Sequence, residues 1–264
     1  MGKKMKNAPV FFTVAQVLFN PVLNMEGFLP AIQERMRKTQ FPDFKRDNIQ
    51  QLILPFALPA DGSQPPSPSF VPKARCKFGS IDRSTEFVLA QNSLALQTTA
   101  YDTSDTFFKT MLDGLKIIHE AIQLDFTERI GLRYLDAVLP KPQESLSDYL
   151  TPEVLGLYSK LDGKLTHSYS ETVTMNTSGQ LVSRVIIQDG RVGLPLDLIE
   201  LALQIKPKFT EQEGRHAIID TDASYEQREA FNLEKLGSKL VELHTEIRKS
   251  FKATVTPFAL KAWG

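Results

Sequence analysis

The sequence predicts an α+β protein of two related antiparallel sheet-plus-long-helix halves. Three observations predict it. Short β-branched and aromatic runs alternate with turn residues, two long amphipathic helical patterns each follow a group of such runs, and the grammar of the first half recurs in the second. The halves are placed at residues 1–140 and 141–264, either as separate units or merged into one compact domain with a continuous sheet.

Val10 to Phe19 is rich in β-branched and aromatic residues and reads as a strand buried on both faces. A helix follows from Glu26 to Lys38, with Pro30 in or near its first turn and Leu29, Ile32 and Met36 on one face. Gln51 to Phe56 reads as a short strand, and the Pro/Ser-rich stretch from Pro59 to Pro72 as an exposed, dispensable loop. Strands at Lys73–Ile81, Thr85–Ala90 and Leu94–Thr99 are separated by Asp82-Arg83-Ser84 and Gln91-Asn92-Ser93, turn chemistry that predicts an antiparallel meander. Ser104 is the expected N-cap of a helix over Asp105–Ile122, whose stripe runs Phe107, Phe108, Met111, Leu112, Leu115, Ile118 and Ile122. Arg129–Leu139 returns as a strand.

Beyond Pro140-Lys141-Pro142 the pattern predicts a short helix over Ser147–Tyr158 and strands at Ser168–Met175 and Leu181–Gln188 around a turn at Thr177-Ser178-Gly179. Gly190 to Gly214 is apolar but irregular and reads as an insertion, partly strand. A strand at His216–Asp220, a long helix over Leu233–Phe251 and a short strand near Thr254–Leu260 complete the chain. An offset of 125 lays the second long helix on the first: Met111 falls on Leu236, Leu115 on Leu240, Ile118 on Leu243 and His119 on His244. Any two amphipathic helices give such apolar matches, but histidine occurs only four times in the chain, so the paired histidines point to an internal duplication.

Composition narrows the function classes. Lys plus Arg and Asp plus Glu both number 31, so no global field draws the protein onto nucleic acid or an anionic membrane. The lone Cys76 forbids an intrachain disulfide and fits a reducing, cytoplasmic setting. The apolar run after Lys3, Lys4 and Lys6 is broken by Thr13 and Gln16 and ends in Asn20-Pro21, unlike a signal peptide, and no run reaches membrane-spanning length.

NAPVFFTVAQVLFNP near the start, ERIGLRYLDAV from Glu128, IIDTD from Ile218 and LHTEIRKSFKATVT near the end together resemble an uncharacterised, sporadically distributed bacterial protein family of about this length. The resemblance implies a bacterial cytosolic context and hands over no catalytic residues.

Phosphate-loop, dinucleotide-binding, metalloprotease and nucleophile-elbow motifs are absent. No catalytic residue, cofactor or metal site is therefore expected. The candidate ligand-binding residues are Arg129 and Arg133, which alternation puts on one strand face around Gly131, and Asp220 and Asp222, two apart at a strand end. His216 shares the parity of the two aspartates, but two carboxylates and one imidazole make an incomplete ligand set. The bland alternatives pair the arginines with Glu128 and Asp136 and leave the aspartates shaping a turn. His119 and His244 are expected to be structural, Cys76 a small strand residue, and Trp263 the anchor of the C-terminus.

The leading expectation is a non-catalytic binding or interaction module with a protein partner and no membrane association. The runner-up is a ligand-dependent regulator or unfamiliar enzyme built on the groups near Arg133 and Asp220. Nucleic-acid binding, disfavoured by charge, requires Lys3, Lys4, Lys6, Lys73, Arg75 and Lys77 to gather on one face. The helices need cover only one sheet face, which leaves the other exposed, self-packed or available to a partner.

Overall fold

A computed structural model describes residues 5–53, 69–157, 160–198 and 203–264. The chain is α+β, and its strands form one ten-stranded antiparallel sheet in the order β2-β3-β4-β5-β1-β6-β9-β8-β7, with β10 beside β6. In chain order the elements are β1 (Val10–Phe19), α1 (Met25–Lys38), β2 (Asp43–Ile53), β3 (Ser69–Gly79), β4 (Thr85–Ala90), β5 (Ser93–Thr98), α2 (Ser104–Ile122) and β6 (Phe126–Val138). Then come α3 (Leu146–Tyr149), α4 (Pro152–Leu155), β7 (His167–Asn176), β8 (Gly179–Arg191), α5 (Pro207–Thr210), β9 (Glu213–Tyr225), β10 (Glu229–Ala230), α6 (Leu233–Thr254) and α7 (Pro257–Trp263).

β1 and β6 lie antiparallel at the centre, with Val14 opposite Arg133. β1 also pairs with β5, the last strand of the first meander, and β6 with β9, the last strand of the second. Each meander feeds a long helix, α2 or α6. Both helices and α1 lie on one sheet face, where Phe19, Leu94, Leu96, Ile130 and Leu132 meet Ile32, Met111, Leu115, Leu236 and Leu240 in the main core. A second cluster on the same face joins Val185, Ile187 and Ile219 to Tyr149, Val255 and Trp263 of α3 and the C-terminal segment.

Among the described residues the opposite face is closed only at one end. There Phe11, Phe12, Leu135, Ala137 and Ile218 are covered by Val192, Leu203 and Phe209 from the long excursion between β8 and β9. That excursion is tied to the first half by the Thr99 hydroxyl, which donates to the Gln204 carbonyl at 2.7 Å.

Several elements differ from expectation. β2 starts at Asp43, well before Gln51, because Asp43 to Ile53 pairs residue for residue with β3. β3 itself starts at Ser69, so the end of the expected Pro/Ser-rich loop is strand; residues 54–68, which include the end of the expected Gln51–Phe56 strand and the rest of that loop, lie outside the described residues. Pro30 sits inside α1, past the first turn, where its missing N–H removes one helical hydrogen bond. The cap of α2 is Thr103, not Ser104, its side chain accepting from the Thr106 amide. The single helix expected over Ser147–Tyr158 is two one-turn helices, α3 and α4, separated by Leu150-Thr151, of which Leu150 bridges to Val255; Tyr158 lies outside the described residues. The stretch Gly190–Gly214 is strand at its two ends, where β8 runs to Arg191 and β9 begins at Glu213, and among its other described residues holds a 3-10 turn at Leu196–Leu198 and α5. The segment near Thr254–Leu260 is helical: Pro257 opens α7, and the Thr256 side chain accepts from the Ala259 amide. Trp263 is buried against Tyr149 and Phe251, holding the C-terminus to the body.

Candidate functional site

The candidate site lies on the face away from the long helices, across β6, β9, β8 and β7. Strand alternation places it. Ile130, Leu132 and Tyr134 enter the helix-covered core, so Arg129, Gly131 and Arg133 project to the other side. The register sets Arg133 opposite Asp222 and Leu135 opposite Asp220, which puts both aspartates on the arginines' face. β8 and β7 extend the row: Arg184 pairs with Asp220, and Glu171 with Arg184.

Both aspartates stand inside β9, not at its end, because the strand continues to Tyr225 between β6 and β8. Asp220 is 1% exposed and grips Arg133 with both oxygens, Nε donating to Oδ1 and Nη2 to Oδ2, each at 2.7 Å. This bidentate pair compensates the burial of both charges. Arg184 reaches Asp220 more loosely, at 3.5 Å, and donates to Glu171 at 2.6 Å. Arg133 also donates through Nη1 to Asp197 in the 3-10 turn, from outside the sheet. The result is an alternating ladder of charge, Glu171, Arg184, Asp220, Arg133 and Asp197, in which the Arg133 guanidinium is held firmly in its charged form.

Asp222 has a different environment. Burial pushes its carboxyl above the ordinary carboxylate range, although Arg133 and Arg129 pull the other way. Arg129 turns away toward Glu226, at 3.2 Å, and Gln16, at 3.5 Å. Gly131 leaves room for the Arg129 guanidinium, which a Cβ at that position would meet at 2.7 Å and displace. The group brought close by the glycine is thus its neighbour's own side chain. Glu128 pairs instead with Arg228, and Asp136 lies buried on the opposite face, so neither local acid serves these arginines.

A cavity of about 560 Å³ opens over the ladder, lined by Arg133, Tyr169, Arg184, Arg191, Asp197 and Asp222 among others. His216 is not part of it: its ring contacts the Gly214 carbonyl and Gln188. Among the described residues no group of three or more His, Cys, Asp or Glu side chains is placed to hold a metal ion. His119 stacks on Phe231 with ring centroids 4.4 Å apart, while His244 packs between Phe108 and Tyr134 and is pushed down to about 4 by burial. Cys76 is buried, which raises its thiol. Lys77, one of the cations a nucleic-acid surface would need, is buried against Asp47 at 2.6 Å.

Sequence reasoning does not find Asp197 or Arg184. Asp197 sits in an irregular segment 64 residues from its partner, and Arg184 is an isolated arginine whose alternation within β8 is the available signal. No helix among the described residues is long and apolar enough to cross a membrane. No protein-family model matches the chain, and no curated protein matches it.

Proposed function

We propose that this protein is a non-catalytic interaction module of the bacterial cytosol that takes an extended segment of a partner polypeptide onto the free edge of β7. The observation that carries this reading is β7 itself. It is ten residues long, it ends the sheet, and its residues 171–176 are all exposed. Alternate residues of an edge strand aim their N–H and C=O groups away from the sheet, where an added strand satisfies them.

The two sheet edges differ in their protection. β2 carries Asp43, Lys45, Arg46 and Asp47, the kind of charge that discourages strand addition. β7 carries one acidic residue, Glu171, and that is engaged by Arg184. Tyr169, Val173 and Met175 stand on one face of β7 at 54%, 50% and 75% exposure, ready to meet the alternate side chains of an incoming strand. The single cysteine and the family resemblance support the cytosolic bacterial setting.

Affinity capture from a host lysate tests this with the tagged full chain and a Val173→Lys/Met175→Lys variant. A partner enriched by the parent and lost by the variant, with an unchanged thermal midpoint, is expected. Identical captured proteins on both baits would contradict the reading.

We also infer that the two halves arose by duplication. The meander-then-helix order of both halves supports it, as do contacts by which each histidine reaches the other helix's start: His119 of α2 stacks on Phe231 before α6, and His244 of α6 packs on Phe108 of α2. Gly237, which the 125-residue offset equates with Leu112, is where the Leu112 side chain fits, with a Cβ there only 3.2 Å away. That is the contact expected where two equivalent helices cross on a local dyad. A best superposition of the halves that takes His119 away from His244 would remove this support.

A further inference from the structure

Arg133 is held by two carboxylates of opposite character. Asp220 belongs to a central strand, is 1% exposed, and takes Nε and Nη2 of the guanidinium in a bidentate pair. Asp197 belongs to the 3-10 turn of the excursion, is 61% exposed, and takes the other edge, Nη1 donating to Oδ2 and Nη2 more loosely to Oδ1 at 3.4 Å. Giving up the first contact would leave the buried Asp220 carboxylate with only the looser contact from Arg184. The second is an exposed ion pair of the kind that contributes little to stability, so water or another anion can replace it.

The position of the Asp197 carboxylate nevertheless favours negative charge. Its burial raises the carboxyl, but the Arg133 guanidinium, with Arg184 beyond it, outweighs that and holds it below the ordinary range. Arg191 also lines the cavity, and its ion pair with Glu213 is long, at 3.6 Å, between two largely exposed side chains. The acids facing the same space are committed or disfavoured as anions: Asp220 is shared between Arg133 and Arg184, and burial resists the charge of Asp222. With Asp197 withdrawn, a fixed guanidinium edge faces a cavity of about 560 Å³, large enough for a small organic molecule.

We propose that this cavity is a binding site for a small carboxylate ligand, which replaces the Asp197 carboxylate on Nη1 of Arg133 and is flanked by Arg184 and Arg191. Asp197 is the built-in competitor. Asp220 orients the guanidinium and does not touch the ligand. Arg133 and Arg184 stand on β6 and β8, and β7 reaches the cavity through Tyr169; binding of a small ligand to the free chain needs no added strand, so the two readings are tested separately.

Isothermal titration calorimetry on the full chain tests the proposal, with succinate and, separately, inorganic phosphate as probes. The proteins compared are the parent, Asp197→Ala and Asp197→Ala/Arg184→Gln. Because an internal occupant lowers apparent affinity by the fraction of time it is seated, Asp197→Ala should bind succinate about tenfold more tightly than the parent. Adding Arg184→Gln should remove most of that gain. An unchanged succinate affinity in Asp197→Ala, with its thermal midpoint intact, overturns the proposal. A gain that survives Arg184→Gln overturns the assigned geometry, and tighter binding of phosphate than succinate overturns the carboxylate assignment.

Discussion

On one face of the sheet Leu94, Leu96, Ile130 and Leu132 lie beneath α1, α2 and α6; on the other, the alternate residues of the same sheet carry Arg133, Asp220, Arg184 and Glu171. The two faces also treat their ionisable groups differently. The helix-covered face hides Asp136 and His244 among Tyr134, Thr13 and Thr221, and burial opposes the charge of each. The open face, apart from Asp222, whose charge burial also opposes, pairs its charges in rows, and its pairs grade from a buried one at Asp220 to an exposed one at Asp197. The difference teaches that stability is concentrated under the helices and at Asp220, whereas exchangeable contacts lie at the rim of the open face and along β7.

The largest effect should come from breaking the buried pair. Arg133→Met keeps much of the aliphatic stem but leaves the buried Asp220 with only the looser contact from Arg184, and should cost about 3–5 kcal/mol in urea unfolding. Arg133→Met/Asp220→Leu should recover most of that loss, because the charge left behind, not the missing attraction, makes the single change costly. A double variant no more stable than the single one would mean that the open face depends on the pair itself.

Titration should expose the groups hidden on the other face. Burial pushes Asp136 up from 3.8 to about 7, so its folded form holds the proton more tightly than the unfolded chain, and stability falls as pH rises from about 4 through 7. Its full effect is on the order of 4 kcal/mol. Burial pushes His244 down from 6.5 to about 4, so it acts in the opposite sense, and stability falls as pH drops from 6.5 toward 4. Asp136→Asn should therefore leave a rising stability between pH 4 and 6.5, and His244→Gln a falling one. Superimposable pH profiles for parent and variants would remove the distinction drawn between the faces.

Alternation makes much of this legible. The side of the sheet taken by Arg133 follows from Ile130, Leu132 and Tyr134, and β1, β4, α2 and α6 follow from their apolar periods. The start of β2 is illegible because Asp43-Phe44-Lys45-Arg46-Asp47 lacks an apolar alternation; its pairing with β3 makes it a strand. α7 is masked because Val255 and Phe258 resemble strand residues, although Thr256-Pro257 carries a helix-start signal. The partners of Arg133 are hidden for a different reason. Register decides which residue lies across a sheet, and a one-residue slip would turn Asp220 to the other face.

Smaller effects belong to the rim. Asp197→Ala should change stability by less than about 1 kcal/mol, since the substitution removes only an exposed ion pair. A destabilisation several times larger would show that the excursion is pinned through this residue and would erase the contrast with Asp220.

The central claim, that β7 is the surface that receives a partner strand, is tested most directly by hydrogen–deuterium exchange on the full chain, free and in its captured complex. In the free protein the outward-facing amides of His167–Asn176 should exchange rapidly, and in the complex they should become protected while those of β2 do not change. A captured complex in which β7 exchanges as fast as in the free protein, with protection elsewhere, would contradict the account.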